Sequence, residues 1–227
     1  MGRVTYYSIF LLIMSCRLAH AQSHPLSQSH PQPLPLSQPR LYGPSRLQPG
    51  NDSVFSAATL ASFPLTVAGN GNAFHLPATP RASTLCLFVF LSPECPLCQN
   101  YTVTLNALHK EYGDRLCVYG IIPGKSYSTT VINAFAQKYK IAFPLLIDGS
   151  FRLSRYLQAG ITPEAILLDD RQDLLYAGAI DNWVKELGKR SARPTEYYLR
   201  DAIDHALKKE PVAEKRIRPV GCLINDI

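Results

Sequence analysis

The residues in this sequence with the clearest chemical potential are Cys95 and Cys98, in the run Ser92-Pro93-Glu94-Cys95-Pro96-Leu97-Cys98. A thiolate is the nucleophile of disulfide exchange, and the unpaired N–H groups at a helix N-terminus favour that charge. A cysteine three residues further on lies one helical turn away. It can attack a mixed disulfide at the first, releasing the partner and closing the ring. The pairing points to thiol–disulfide redox, with Cys95 as nucleophile and Cys98 as resolving thiol. The same two thiols would make half of a zinc site, but the sequence has no second Cys/His pair at related spacing, so neither a metal nor another cofactor is expected. Glu94 is a candidate proton shuttle, or a like charge raising the Cys95 pKa; a solvated loop glutamate is the plainer reading.

Such a pair needs a strand that delivers it and a helix that begins at it. Leu85–Leu91 is continuously apolar, the pattern of a strand covered on both faces, and runs directly into the cysteine segment. A helix is expected from about Leu97 to Tyr112, stopped at Gly113. The pattern repeats with a strand Arg115–Ile122, a helix Thr129–Tyr139, a strand Phe143–Ile147 and a short helix Phe151–Leu157. Strands separated by helix-length segments are parallel β-α-β units. After Thr162-Pro163, the runs Ala165–Leu168 and Leu174–Ala179 flank a turn-rich Asp169–Asp173 and read as a hairpin. A final helix is expected over about Pro194 to Lys208. Upstream, Leu65–Ala68 and Ala73–Leu76 around Gly69-Asn70-Gly71 read as an N-terminal hairpin, with order beginning near Phe55–Phe63. Cys86 and Cys117 fall inside predicted central strands and are expected to be buried and inert.

This β-α-β then β-β-α order, with a CxxC at the first strand-to-helix junction and a proline before the hairpin, resembles the thioredoxin fold over roughly Leu85 to Leu207. That implies an α/β fold with a central mixed sheet flanked by helices, here extended by the N-terminal β-hairpin. The segments Glu94–Cys98, Thr162–Glu164, Gly178–Asp181 and Val220–Ile224 are together similar to bacterial redoxins related to peroxiredoxins and TlpA-like proteins. The resemblance implies that Pro163 is a cis proline facing the cysteine pair; an ordinary trans proline at a strand edge is the alternative. It also implies that Pro96, Leu97 and Thr162 belong to the substrate-facing surface, and that Cys222 offers a flexible second thiol for Cys95; a cysteine merely packed or free is the alternative for Cys222. A peroxiredoxin-like peroxide reductase, with Cys95 peroxidatic and Cys98 or Cys222 resolving, is the rival activity. The peroxiredoxin pattern P-x-x-x-T-x-x-C departs here, with Phe88 at the proline position and Ser92 at the threonine. An SCO-like copper chaperone is a third reading, weakened by the short cysteine spacing and by the lack of motif context for His75, His109 and His205.

The ends of the chain bear on location. Residues 1–21 place Arg3 before an apolar run Tyr6–Met14 and end in Ala19-His20-Ala21, the layout of a secretory signal peptide. The expectation is export to a periplasmic or extracytoplasmic space. A competing reading takes Ile13-Met14-Ser15-Cys16 as an imperfect lipoprotein box, giving a membrane tether if Cys16 is lipidated. Residues 22–52 hold seven prolines among Ser, Gln and His and read as a disordered linker. The thioredoxin-like domain is assigned to 53–210 and a C-terminal tail carrying Cys222 to 211–227. Removing residues 1–21 takes two arginines from 23 basic residues and leaves 21 against 17 acidic ones, or +4. That mild excess, without aromatic interleaving, argues against nucleic acid as a partner. The expected partners are protein thiols or disulfides, or an upstream thiol reductant; the sequence does not fix an oligomeric state. Five cysteines remain after the signal, an odd number that leaves at least one thiol unpaired within the chain.

Overall fold

The computed structural model describes residues 54–79 and 81–224. The expected signal segment, with Cys16, and the whole of the linker lie outside these residues. The described chain opens with α1 (Ala57–Ala61), capped by the Ser56 side chain, and the short strands β1 (Leu65–Val67) and β2 (Ala73–Phe74). Next come β3 (Leu85–Phe90), α2 (Pro96–Tyr112), β4 (Leu116–Pro123), α3 (Thr129–Lys138), β5 (Leu145–Asp148) and α4 (Arg152–Tyr156). They are followed by β6 (Ile161–Thr162), β7 (Glu164–Leu168), β8 (Leu174–Gly178), the hairpin β9 (Val184–Glu186) and β10 (Lys189–Arg190), and α5 (Tyr198–Leu207). The chain ends on β11 (Arg216–Ile217) and β12 (Cys222–Leu223).

Eight strands form one mixed sheet in the order β11-β8-β7-β3-β4-β5-β1-β2. The β3–β4 and β4–β5 pairs are parallel, whereas β7 runs antiparallel to both β3 and β8. This is the thioredoxin-like α/β arrangement, and the N-terminal hairpin joins it through an antiparallel β1–β5 pair. Because side chains alternate along a strand, β3 serves two cores. Leu87 and Val89 pack with Leu105, Leu108, Leu199 and Ile203 on the α2/α5 face. Phe88 and Phe90 pack with Leu60, Phe63, Leu153 and Leu157 on the α1/α4 face. Leu87, Val89 and Phe90 are wholly inaccessible, which explains the uninterrupted apolar run.

Three expectations need correction. The last helix begins at Tyr198, not near Pro194. Asn182 holds the backbone N–H groups of Thr195 and Glu196 with its side-chain oxygen (2.8 and 3.2 Å), and those residues finish a loop after the β9–β10 hairpin. The expected tail is not a loose appendage within the described residues: β11 runs parallel to β8 in the main sheet, and β12 pairs antiparallel with β6. Cys117 lies in β4 as expected but is exposed, and Cys86 is only half-buried. Both side chains project at the start of their strands on the α1/α4 face, where they line a cavity with Leu60 of α1.

Candidate active site

Strand β3 ends at Phe90, and the turn through Ser92 and Pro93 makes Cys95 the N-cap of α2, with extended φ/ψ of −75° and 116°. Its carbonyl accepts the first helical hydrogen bond from the Gln99 N–H at 3.0 Å. Pro96 at the first helical position has no N–H to leave unpaired, and the N–H groups of Leu97 and Cys98 are turned towards the Cys95 sulfur.

Those surroundings acidify the Cys95 thiol from 9.0 to about 5. The largest contribution is a hydrogen bond from the Cys98 thiol; burial opposes it, and the Cys222 thiol and the two helix N–H groups add to it. The partners move the other way. Burial, then contact with Cys95, holds Cys98 well above the ordinary thiol range, although the Ser92 N–H donates to its sulfur at 3.4 Å. Burial, then the hydrogen bond to Cys95, raises Cys222 to about 11. One thiolate therefore stands between two thiols that keep their protons at neutral pH.

Cys222 reaches this position through backbone pairing. It lies opposite Thr162 in the β6–β12 ladder, and its Sγ donates to Cys95 Sγ at 2.9 Å. The Thr162–Pro163 peptide is cis, and the Thr162 carbonyl oxygen lies 3.4 Å from Cys95 Sγ, placed to accept its proton when Cys95 is in the thiol form. Two glycines permit the docking. A Cβ at Gly221 would stand 2.2 Å from the Thr162 carbonyl oxygen. Gly178 has φ +139°, and a Cβ there would stand 1.7 Å from the Ile217 carbonyl oxygen, so only glycine lets β11 close on β8. Below the loop, the buried Glu164 carboxylate accepts from the N–H groups of Gly160 (2.8 Å) and Ile161 (3.2 Å), fixing the turn that presents Thr162.

A cavity of about 230 Å³ opens beside the sulfurs, lined by Ser92, Glu94, Cys95, Tyr127, Thr162 and Cys222 among others, none of them a lysine, an arginine or a histidine. The structure thus brings Cys95, Cys98, Thr162, Pro163 and Cys222 together. Glu94 is exposed at the cavity rim, and Pro96 and half-buried Leu97 flank the thiols. Sequence reasoning missed Tyr127, whose hydroxyl is 2.8 Å from Ser92 Oγ, and the roles of Glu164, Gly178 and Gly221. The glycines were in view inside their motifs, but the backbone each would meet belongs to a strand distant in sequence.

A cysteine of lowered pKa capping the helix after the first central strand, its sulfur against the Thr162 carbonyl that precedes a cis proline, is the arrangement of a thioredoxin-fold protein. The profile of the AhpC/TSA family matches residues 57–177, and the chain belongs to that family. Two solved structures share the fold. An uncharacterized conserved protein from Geobacillus kaustophilus is 21% identical with a TM-score of 0.63, over 76% of this chain and 93% of its own. A hypothetical protein from Sinorhizobium meliloti 1021 is 28% identical with a TM-score of 0.61, over 76% of this chain and 94% of its own. No curated protein sequence matches the chain.

Proposed function

We propose that this protein is an exported thiol–disulfide oxidoreductase that exchanges disulfides at Cys95 and Cys98, with Cys222 as a second resolving thiol. The observation that carries the reading is the acidified Cys95 sulfur with the Cys222 sulfur 2.9 Å away. The Cys95 thiolate attacks one sulfur of a substrate R–S–S–R′, forming Cys95–S–S–R and expelling R′–S⁻. The expelled thiolate takes the proton of Cys98 or Cys222. The thiolate so formed attacks Cys95 Sγ, breaking the mixed disulfide and releasing R–S⁻. The substrate class is protein or small-molecule disulfides; run in reverse, the same steps oxidise dithiols. Export rests on residues 1–21, with their basic start, short apolar core and Ala19-His20-Ala21.

The wall of the cavity favours this over peroxide reduction. Among the described residues no lysine, arginine or histidine lines it to stabilise the negative charge that develops on a peroxide oxygen as the O–O bond breaks. The Ser92 hydroxyl is engaged with Tyr127 rather than with Cys95. The copper reading gains nothing here, since no histidine lines the cavity.

The experiment is a disulfide map by mass spectrometry of the full chain after oxidation with one equivalent of a disulfide substrate, paired with rates of disulfide and hydrogen peroxide consumption. Bonds from Cys95 to Cys98 or to Cys222, with disulfide turnover outpacing peroxide, are expected, and the ratio of the two bonds names the dominant resolver. A persistent Cys95 mixed disulfide, or faster peroxide consumption, would overturn the assignment.

A further inference from the structure

At the opposite end of β3 from the active site stands a second pair of thiols. Cys86 of β3 and Cys117 of β4 are direct register partners in adjacent parallel strands. Alternation puts both on the α1/α4 face, since Phe88 and Tyr119, two residues further along each strand, stack on that face at 5.8 Å. Adjacent strands lie about 4.8 Å apart, within the roughly 4.4–6.8 Å between Cα atoms that a disulfide accepts. Cys117 is exposed and Cys86 half-buried. The two share a cavity of about 200 Å³ with Leu60, Leu76, Phe88 and Tyr119, which gives a small reagent room to reach both sulfurs.

We propose that Cys86 and Cys117 are a second redox dithiol, oxidised by small-molecule disulfides to a bond that staples β3 to β4. The exposed Cys117 leads, because burial and the neighbouring Cys117 hold the Cys86 thiol far above the ordinary range. The Cys117 thiolate attacks one sulfur of R–S–S–R, whose S–S bond breaks as R–S⁻ leaves with Cys117–S–S–R formed. The departing thiolate accepts the Cys86 proton. The Cys86 thiolate then attacks Cys117 Sγ and expels the second R–S⁻, so that two cysteine thiols are oxidised and one disulfide is reduced to two thiols. Cys86 and Leu91 are five strand residues apart, roughly 16 Å, and none of the cavity's lining residues belongs to the active site. The pair also accounts for the odd cysteine count: three thiols at one end of the strand and two at the other.

The test uses the full chain carrying C95S/C98S/C222S, so that its outcome is independent of the active-site reading. The protein is equilibrated with oxidised glutathione, alkylated, digested and read peptide by peptide. Cys86 and Cys117 are expected to lose both alkylation equivalents together and to appear as one linked peptide pair. Adding C86S is expected to leave Cys117 as a glutathione mixed disulfide. The same linked pair is sought in the unsubstituted chain, which guards against a folding defect of the variant. Glutathione retained on Cys117 while Cys86 still alkylates, or two thiols that both still alkylate, would overturn the proposal.

Discussion

Cysteines gather near each end of strand β3, Cys95, Cys98 and Cys222 beyond its exit and Cys86 with Cys117 at its entry, and the two groups meet opposite electrostatics. At its exit, Cys95 is almost fully buried yet acidified, because a helix N-terminus and two neighbouring thiols donate to its sulfur. At its entry, burial, and after it the neighbouring Cys117, raises the Cys86 pKa, and among the described residues no hydrogen bond to its sulfur offsets them. Burial alone therefore does not set thiol reactivity; the number of donors aimed at the sulfur does.

The sharpest break of this comparison is Cys95→Ser, which should abolish disulfide turnover, while Cys86→Val should leave turnover unchanged in the same assay. Next in size is the donor effect. The rate of iodoacetamide alkylation of Cys95 should rise with pH around a midpoint near 5. In Cys98→Ala that midpoint should move up towards 9.0, slowing alkylation at pH 6 by roughly tenfold or more. A midpoint unmoved by Cys98→Ala would assign the acidity to the helix instead. The same shift, a folded pKa below the unfolded one, stabilises the reduced fold in full above pH 9 and is lost as pH falls through about 5.

Gly221→Ala tests whether the third thiol depends on tail docking. The added Cβ meets the Thr162 carbonyl, so the fraction of Cys95–Cys222 bond in the disulfide map should fall severalfold, while Cys95–Cys98 persists. The smallest effect belongs to the strand entry. Cys86→Val, near in volume and apolar, should change urea stability by no more than about 1.5 kcal/mol.

Much of this was legible because the candidate pair is local: strand, turn and helix that position Cys95 and Cys98 follow one another within the run Leu85–Tyr112. The doubly buried β3 announced itself through unbroken apolar residues. What could not be read was register and reach. Nothing in the sequence around Cys86 or Cys117 says that they face each other, since parallel pairing joins segments separated by a whole helix. The apolar pattern also does not say where a covering helix stops, so Cys117 reads as buried when it is not. The terminal Gly-Cys was recognisable as a motif, but its place opposite Thr162 follows only from the docked chain.

The pairing of β11 with β8 has a consequence for solubility. Without it, β8 would be the sheet's outer strand, five residues long, with a row of unpaired N–H and C=O groups able to template another chain. With it, the Ala177–Gly178 end of β8 is covered, and the sheet is margined by two-residue strands, β11 and β2, too short to recruit a neighbour. A chain cut before Arg216 would thus lose Cys222 and also bare an adhesive edge, so aggregation of such a fragment would report on sheet protection rather than on redox chemistry.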